Sequence, residues 1–193
     1  MSLTHRTPIP AVFLDRDGTI NEERGHIWTP KDLVLLPGAA KAIHQLNQSE
    51  YLTVVVTNQS VIARGKCTEA GMEAINNRLQ FLIAEEGGSI DRIYYCPHYP
   101  DKKIPGGREE LKIICDCRKP QPGLIMRAAK DLNIDLNLSW LVGNMPSDIE
   151  AASRAGIRSI LLENYGVFDN QLSASPDAKC IDLQDAVRLI LNY

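Results

Sequence analysis

Residues 11–21 read AVFLDRDGTIN. A short apolar run ends in Asp15 and Asp17, with Arg16 between them and Gly18-Thr19 behind. Acidic side chains are seldom buried without a partner or a metal. Two of them one residue apart repel each other unless a cation lies close. A hard cation such as Mg²⁺ takes carboxylate and carbonyl oxygens and completes its shell with water and phosphate. In that setting the Asp15 carboxylate has the chemistry to attack phosphorus. Asp17 could then protonate the leaving oxygen and later take a proton from water. Thr57, in VVVTNQS, could donate a hydrogen bond to a transferring phosphoryl group, and Lys119, in CRKPQPG, could balance its charge. By itself DRDG reads equally well as turn chemistry; the ordered supply of the other groups argues for a site.

A second set of reactive side chains lies in CPHYPDKKIPGGREELKIICDCRKP, residues 96–120. Cys96, His98, Cys115 and Cys117 form a Cys-x-His and Cys-x-Cys pair. Three thiolates and an imidazole suit tetrahedral Zn²⁺ with a closed shell, which makes the site structural. Such a zinc would staple the long loop whose far end carries Arg118 and Lys119. Cys67 and Cys180 read as packing residues. His44 reads as a surface residue on a helix, and His5 sits near the chain start.

The elements that must hold these groups alternate in type. Apolar runs at AVFL (11–14), YLTVVVTN (51–58), RIYYC (92–96), SWLVGN (139–144) and IRSILLE (157–163) suit strands covered on both faces. Helical spacing lies between them. It covers residues 38–48 with Ala39, Ile43 and Leu46. A stripe of Met72, Ile75, Leu79 and Leu82 follows a Thr68 cap. Pro122 fits a first helical turn leading to Leu124, Ile125, Ala128 and Leu132, and Pro146 starts a helix ending near Gly156. Asp182 caps the last helix, with Leu183, Ala186, Val187 and Ile190 inward. The rhythm predicts an α/β fold, a parallel sheet with helices on both faces, in one domain spanning 1–193. Ligands in such sheets bind beyond the carboxyl ends of the strands. Asp15 and Asp17, Thr57 and Asn58, and Asn144 and Asp148 all fall at those ends.

Composition bounds the partners. The 193 residues are 44% hydrophobic and 23% charged, with a formal charge of −3, which gives no reason to expect nucleic acid. No run approaches the ~18 apolar residues that span a bilayer. MSLTHRTPIP lacks a secretory h-region, so a soluble cytoplasmic protein is the expectation; a monomer is expected, without a sequence feature that argues for it.

Taken in order, FLDRDGT, VVVTNQS, CRKPQPG and VGNMPSD resemble the four motifs of the haloacid-dehalogenase-like hydrolases. Over roughly residues 9–166 the chain is most similar to the D-glycero-D-manno-heptose-1,7-bisphosphate 7-phosphatases; TNQS…IARG and the cysteine loop narrow the resemblance to this family and its histidinol-phosphatase sibling, and TNQSVIARG in place of TNQDG…GT favours the heptose branch. The resemblance implies a Rossmann-like domain with minimal cap, Mg²⁺, and an aspartyl-phosphate intermediate. It makes Asp15 the nucleophile, Asp17 the acid/base, and Thr57 and Lys119 the phosphoryl stabilisers. It places Mg²⁺ on Asp15, the Asp17 carbonyl and residue 144, with Asp148 behind. Arg118, the segment Glu23, Arg24, Gly25 and His26, and Asn58, Gln59 and Ser60 match substrate-pocket positions.

A bisphosphorylated sugar needs one set of cations for the cleaved phosphate and another for the remote one; Arg16, Arg24, Arg64 and Arg118 are the candidates. Three positions depart from the family pattern. Asn144 stands where members usually carry Asp, Val61 replaces a common glycine, and Met145 replaces a common polar contact. Competing readings are a histidinol-phosphate or other small-metabolite phosphatase, a DNA 3′-phosphatase, and a sugar-phosphate-binding relative with impaired turnover.

Overall fold

The computed structural model describes residues 7–103, 105–163 and 174–193. His5 and most of the N-terminal segment discussed above lie outside them. Six parallel strands form one sheet in the order β3-β2-β1-β4-β5-β6. They are β1 (Ala11–Leu14), β2 (Leu52–Asn58), β3 (Arg92–Cys96), β4 (Trp140–Gly143), β5 (Arg158–Leu162) and β6 (Ala178–Cys180). The helices are α1 (Ala39–Asn47), α2 (Glu69–Ala84), α3 (Gly123–Leu132), α4 (Pro146–Ala155) and α5 (Leu183–Leu191).

The strand period of two divides the core. Val12 and Leu14 of β1, Val55 of β2 and Val142 of β4 face α1, α2 and α5. Ala11 and Phe13, Val54 and Val56, and Leu141 face α3 and α4. The central strands are therefore apolar on both sides, as a doubly covered parallel sheet requires. Strand order reverses between β1 and its neighbours β2 and β4, so the crevice of this Rossmann-like fold opens above the end of β1.

The helix ends follow their signals. Thr68 Oγ1 accepts the Gly71 N–H at 3.0 Å, and Asp182 Oδ1 accepts that of Asp185 at 2.9 Å. Gly156 closes α4 in the left-handed conformation, φ 71°. Pro122 is the residue before α3 rather than its first. Ile83 completes the buried stripe of α2, and Leu82 is only partly covered. β6 is too short, at three residues, to register as a pattern. Val61 is buried in the α1–α2–α5 core, so its side chain has been absorbed by packing. Among the described residues, the segments that follow β1 and β3 carry only loops and single 3-10 turns, so the rim has minimal cap.

The α2 cap is exposed and separate from the rim. Thr68→Ala should lower unfolding free energy by about 1 kcal/mol in urea denaturation; an unchanged midpoint would show that the cap hydrogen bond contributes nothing.

Candidate active site

The chain leaves β1 at Asp15, which is 8% exposed, and turns at once. The Arg16 N–H donates to Asp15 Oδ1 at 2.7 Å, fixing the carboxylate at the strand end. Lys119 Nζ lies 2.8 Å from Asp15 Oδ1 and 2.6 Å from Asp148 Oδ1. Lys119 and Asp148 are buried as well. Burial raises the Asp15 carboxyl to about 6, with Lys119 pulling it down and Asp148 pushing it up. Burial lowers Lys119, but the two carboxylates outweigh it and hold the ammonium above its ordinary value.

Two local devices place this triad. Asp148 sits in the first turn of α4, where its Oδ2 accepts the Met145 N–H at 3.0 Å and the helix end favours negative charge. Gly143 leaves it room: a Cβ there would lie 2.3 Å from Asp148 Oδ2. Asn58, at the end of β2, exchanges two hydrogen bonds with the Lys119 backbone, both 3.0 Å. Asn58 therefore positions the lysine.

Arg16 does not reach a substrate. Its side chain is fully buried, with Nη2 2.9 Å from Asp17 Oδ2 and 3.0 Å from Gln59 Oε1, and Nη1 against the Met72 sulfur. The expectation of a substrate cation at this position is corrected: a guanidinium in a DRD turn has an adjacent carboxylate to satisfy first. Gln59 is likewise structural in its contacts. Its amide donates to Asp17 Oδ2 at 2.8 Å and to Thr57 Oγ1 at 3.0 Å. Asn21 adds a further donor to Asp17 at 2.8 Å, a contact that sequence spacing did not signal. Because Thr57 oxygen accepts from Gln59, its own O–H is left to donate elsewhere.

Around the mouth, Glu23 accepts the Gly25 N–H at 2.6 Å. Burial and then the Asp17 charge raise the Glu23 carboxyl. Arg24 turns to Glu22, 2.7 Å away, and both side chains are about half-buried. His26 Nδ1 contacts the Gly25 carbonyl. Ser60 Oγ accepts from Arg64 at 3.4 Å. Arg64 and Arg118 flank one ring: their guanidinium carbons lie 4.1 and 5.3 Å from the Tyr99 centroid. Neither makes an ion pair among the described residues. The Arg118 guanidinium donates to the His98 carbonyl at 3.1 Å. Tyr99 was not singled out by sequence; a lone tyrosine in a loop carries no signal until the fold brings both arginines to it.

The residues present fit the Mg²⁺ that the resemblance implies. Asn144, 2% exposed, packs against the turn after Asp17: a Cβ on Gly18, which has φ 76°, would lie 2.2 Å from Asn144 Nδ2. The Asp15 carboxylate, the Asp17 carbonyl and the Asn144 amide are hard oxygen donors of the type Mg²⁺ takes. Asp148 is committed to Lys119 and to the start of α4. Met145 places a 39% exposed apolar side chain at the rim.

The cysteine loop gathers as its spacing predicts. The ligand atoms of Cys96, His98, Cys115 and Cys117 all lie within 4.8 Å of one another. Sulfur separations are 3.3, 3.4 and 3.6 Å, and His98 Nδ1 is 3.3 Å from Cys117 Sγ. Zn–S bonds of ~2.3 Å give tetrahedral sulfur edges of about 3.8 Å, so the cluster is nearly pre-formed. The hydrogen bond between Cys96 and Cys117 lowers the Cys117 thiol to about 5 and raises that of Cys96, so the pair holds one proton between two sulfurs. Arg108 pins the same loop to α2 through Glu69 at 2.6 Å. Cys67 and Cys180 are buried and read as packing residues still. His44 is half-buried and bonded to the Gly87 carbonyl at 2.8 Å, tying α1 to the end of α2.

Elemental analysis of protein prepared without chelator should find about one zinc per chain. Cys115→Ser should lose it, lower stability by more than about 2 kcal/mol and weaken phosphate binding, because Lys119 follows the last ligand by two residues. A zinc-free natural chain would remove the staple; lost stability with unchanged phosphate binding would separate it from the site.

The chain is similar to known proteins. The family model described as HAD-hydrolase-like matches residues 116–186. The chain is 41% identical over 158 residues to the D-glycero-beta-D-manno-heptose-1,7-bisphosphate 7-phosphatase of Salmonella typhi, covering 82% of each. It is 43% identical to that of Haemophilus ducreyi, covering 81% of this chain and 84% of the relative. The structure superposes with a TM-score of 0.81 on the D,D-heptose 1,7-bisphosphate phosphatase of B. bronchiseptica, solved with magnesium and phosphate. That pair is 30% identical, covering 95% of this chain and 99% of the other. With the buried lysine and its two carboxylates at the sheet rim, and the cysteine loop beside them, this chain belongs to the heptose-1,7-bisphosphate 7-phosphatase family of haloacid-dehalogenase-like phosphoric monoester hydrolases.

Proposed function

We propose that the protein removes the 7-phosphate of D-glycero-D-manno-heptose 1,7-bisphosphate through an aspartyl-phosphate on Asp15. The observation that carries this reading is two separate sets of cations. Lys119 is buried beside Asp15, and Arg64 and Arg118 stand without carboxylate partners around Tyr99, among the described residues. A substrate with two phosphates needs such a pair of sites. The resemblance to bisphosphate phosphatases supports the same substrate.

Asp15 attacks the phosphorus, forming the acyl phosphate as the bond to the sugar oxygen breaks. Asp17 gives that oxygen its proton. Thr57 O–H and Lys119 stabilise the transferring oxygens. Water then attacks the acyl phosphate, Asp17 takes the water proton, and phosphate leaves with the Asp15 carboxylate restored. Mg²⁺, held by Asp15, the Asp17 carbonyl and Asn144, would neutralise charge on the phosphoryl oxygens. Glu23, Arg24, Gly25 and His26 form the sugar side of the mouth, with Ser60 opposite. Zinc on the cysteine loop is structural. No helix among the described residues is long and apolar enough to cross a membrane. The five free cysteines fit a reducing cytoplasm, and the site is complete within one chain, as a monomeric enzyme requires.

³¹P NMR should show loss of the 7-phosphoester while the anomeric phosphate remains; release of the anomeric phosphate, or of neither, contradicts the reading. Arg118→Ala should raise KM for the bisphosphate about tenfold, through a lost charged hydrogen bond, and leave a monophosphate unaffected. Asp15→Asn should abolish turnover with the fold intact; a rate within about tenfold, only ~1.4 kcal/mol of barrier, would mean that another group attacks. Asn144→Asp should lower the Mg²⁺ concentration giving half-maximal rate.

A further inference from the structure

The charges around Asp15 can be counted. Asp15 and Asp148 bring two negative charges, and Lys119 sets one positive charge between them at 2.8 and 2.6 Å. Asp17 is matched by Arg16 at 2.9 Å. Asn144 adds an oxygen but no charge. Counted over these inner groups, with the exposed Glu23 of the mouth left out, the seat for a divalent cation carries one net negative charge. All of these groups except Asp17 are buried, so solvent screens them poorly. A divalent cation entering alone leaves the seat net positive in a low-dielectric crevice. A phosphoryl dianion entering alone meets a net negative one. Together they leave the seat as it was.

We propose that in this chain the divalent cation is not a standing occupant of the free protein. It is taken up together with the phosphoryl group, whose oxygens supply the charge that residue 144 does not. This deepens the phosphatase reading and rests on it for the location of the seat. The attraction between cation and phosphoryl group is the same whichever residue stands at 144. What that residue sets is the affinity of each when alone, and it sets them in opposite directions. A carboxylate would hold the cation in the empty protein and repel the phosphate. The amide weakens the first and relaxes the second.

Isothermal titration of the natural chain with Mg²⁺, with and without inorganic phosphate, tests this directly. Phosphate should tighten Mg²⁺ at least about tenfold, and Mg²⁺ should tighten phosphate by the same factor, since coupling is reciprocal. Asn144→Asp should tighten Mg²⁺ alone about tenfold or more and loosen metal-free phosphate, with the coupling unchanged. If Mg²⁺ binds the natural chain equally well with and without phosphate, the proposal is overturned. It is overturned too if Asn144→Asp weakens both ligands, which is how a merely structural residue behaves. Hydrolysis of the bisphosphate by a protein that binds Mg²⁺ tightly when free would sink this inference and leave the phosphatase reading standing. Coupled binding without hydrolysis of any sugar phosphate would do the reverse.

Discussion

A single ammonium, Lys119 Nζ, sits between the carboxylates of Asp15 and Asp148, all three buried. Removing charges from water is costly, and the attraction among them offsets that cost only when geometry is tight. The rim of the sheet can be understood as the set of devices that make it tight. β1 delivers Asp15 from below, and the start of α4 delivers Asp148 from beside it. The lysine arrives from a loop that has no strand or helix of its own at that point. Its placement is the least secured by local structure, and most of the surrounding construction addresses it.

Three tethers act on that loop. Asn58 holds the Lys119 backbone by a reciprocal pair of hydrogen bonds. The Cys96, His98, Cys115 and Cys117 cluster closes the loop just before Arg118. Arg108 anchors its outer part to α2 through Glu69. Beneath Asp17 a second buried cation, Arg16, performs a parallel task, binding Asp17 and Gln59 so that the acid/base candidate and Thr57 share one network. Arg64 and Arg118, which make no ion pair among the described residues, meet at Tyr99 on the outer side.

Much of this was legible before the structure. Alternating apolar runs and helical stripes gave the parallel sheet, because doubly covered strands have a distinctive continuous apolarity. That Asp15, Asn58 and Asn144 gather at one rim was legible because polar residues follow the apolar strand runs. The cysteine loop was legible because metal ligands come in close-spaced pairs. What failed was the direction of side chains. Arg16 was read as a substrate cation because sequence shows a charge but not its partner. Gln59 was read as a substrate contact, whereas its amide bridges Thr57 and Asp17. Tyr99 gained meaning only when two distant arginines were placed on it. β6 is three residues long, below the length at which periodicity exists. Asn144 was noticed by its departure from a pattern, and the fold adds that its amide lies against the Asp17–Gly18 turn.

The central claim is that Asp15 accepts the phosphoryl group at the point where Lys119 balances its charge. Trifluoroberyllate bonds to a carboxylate as a mimic of an acyl phosphate, and ¹⁹F NMR distinguishes bound from free fluoride. With Mg²⁺ present, the natural chain should show a bound resonance that persists in Asp17→Asn and disappears in Asp15→Asn. A bound resonance surviving in Asp15→Asn, or none in the natural chain, would contradict the account.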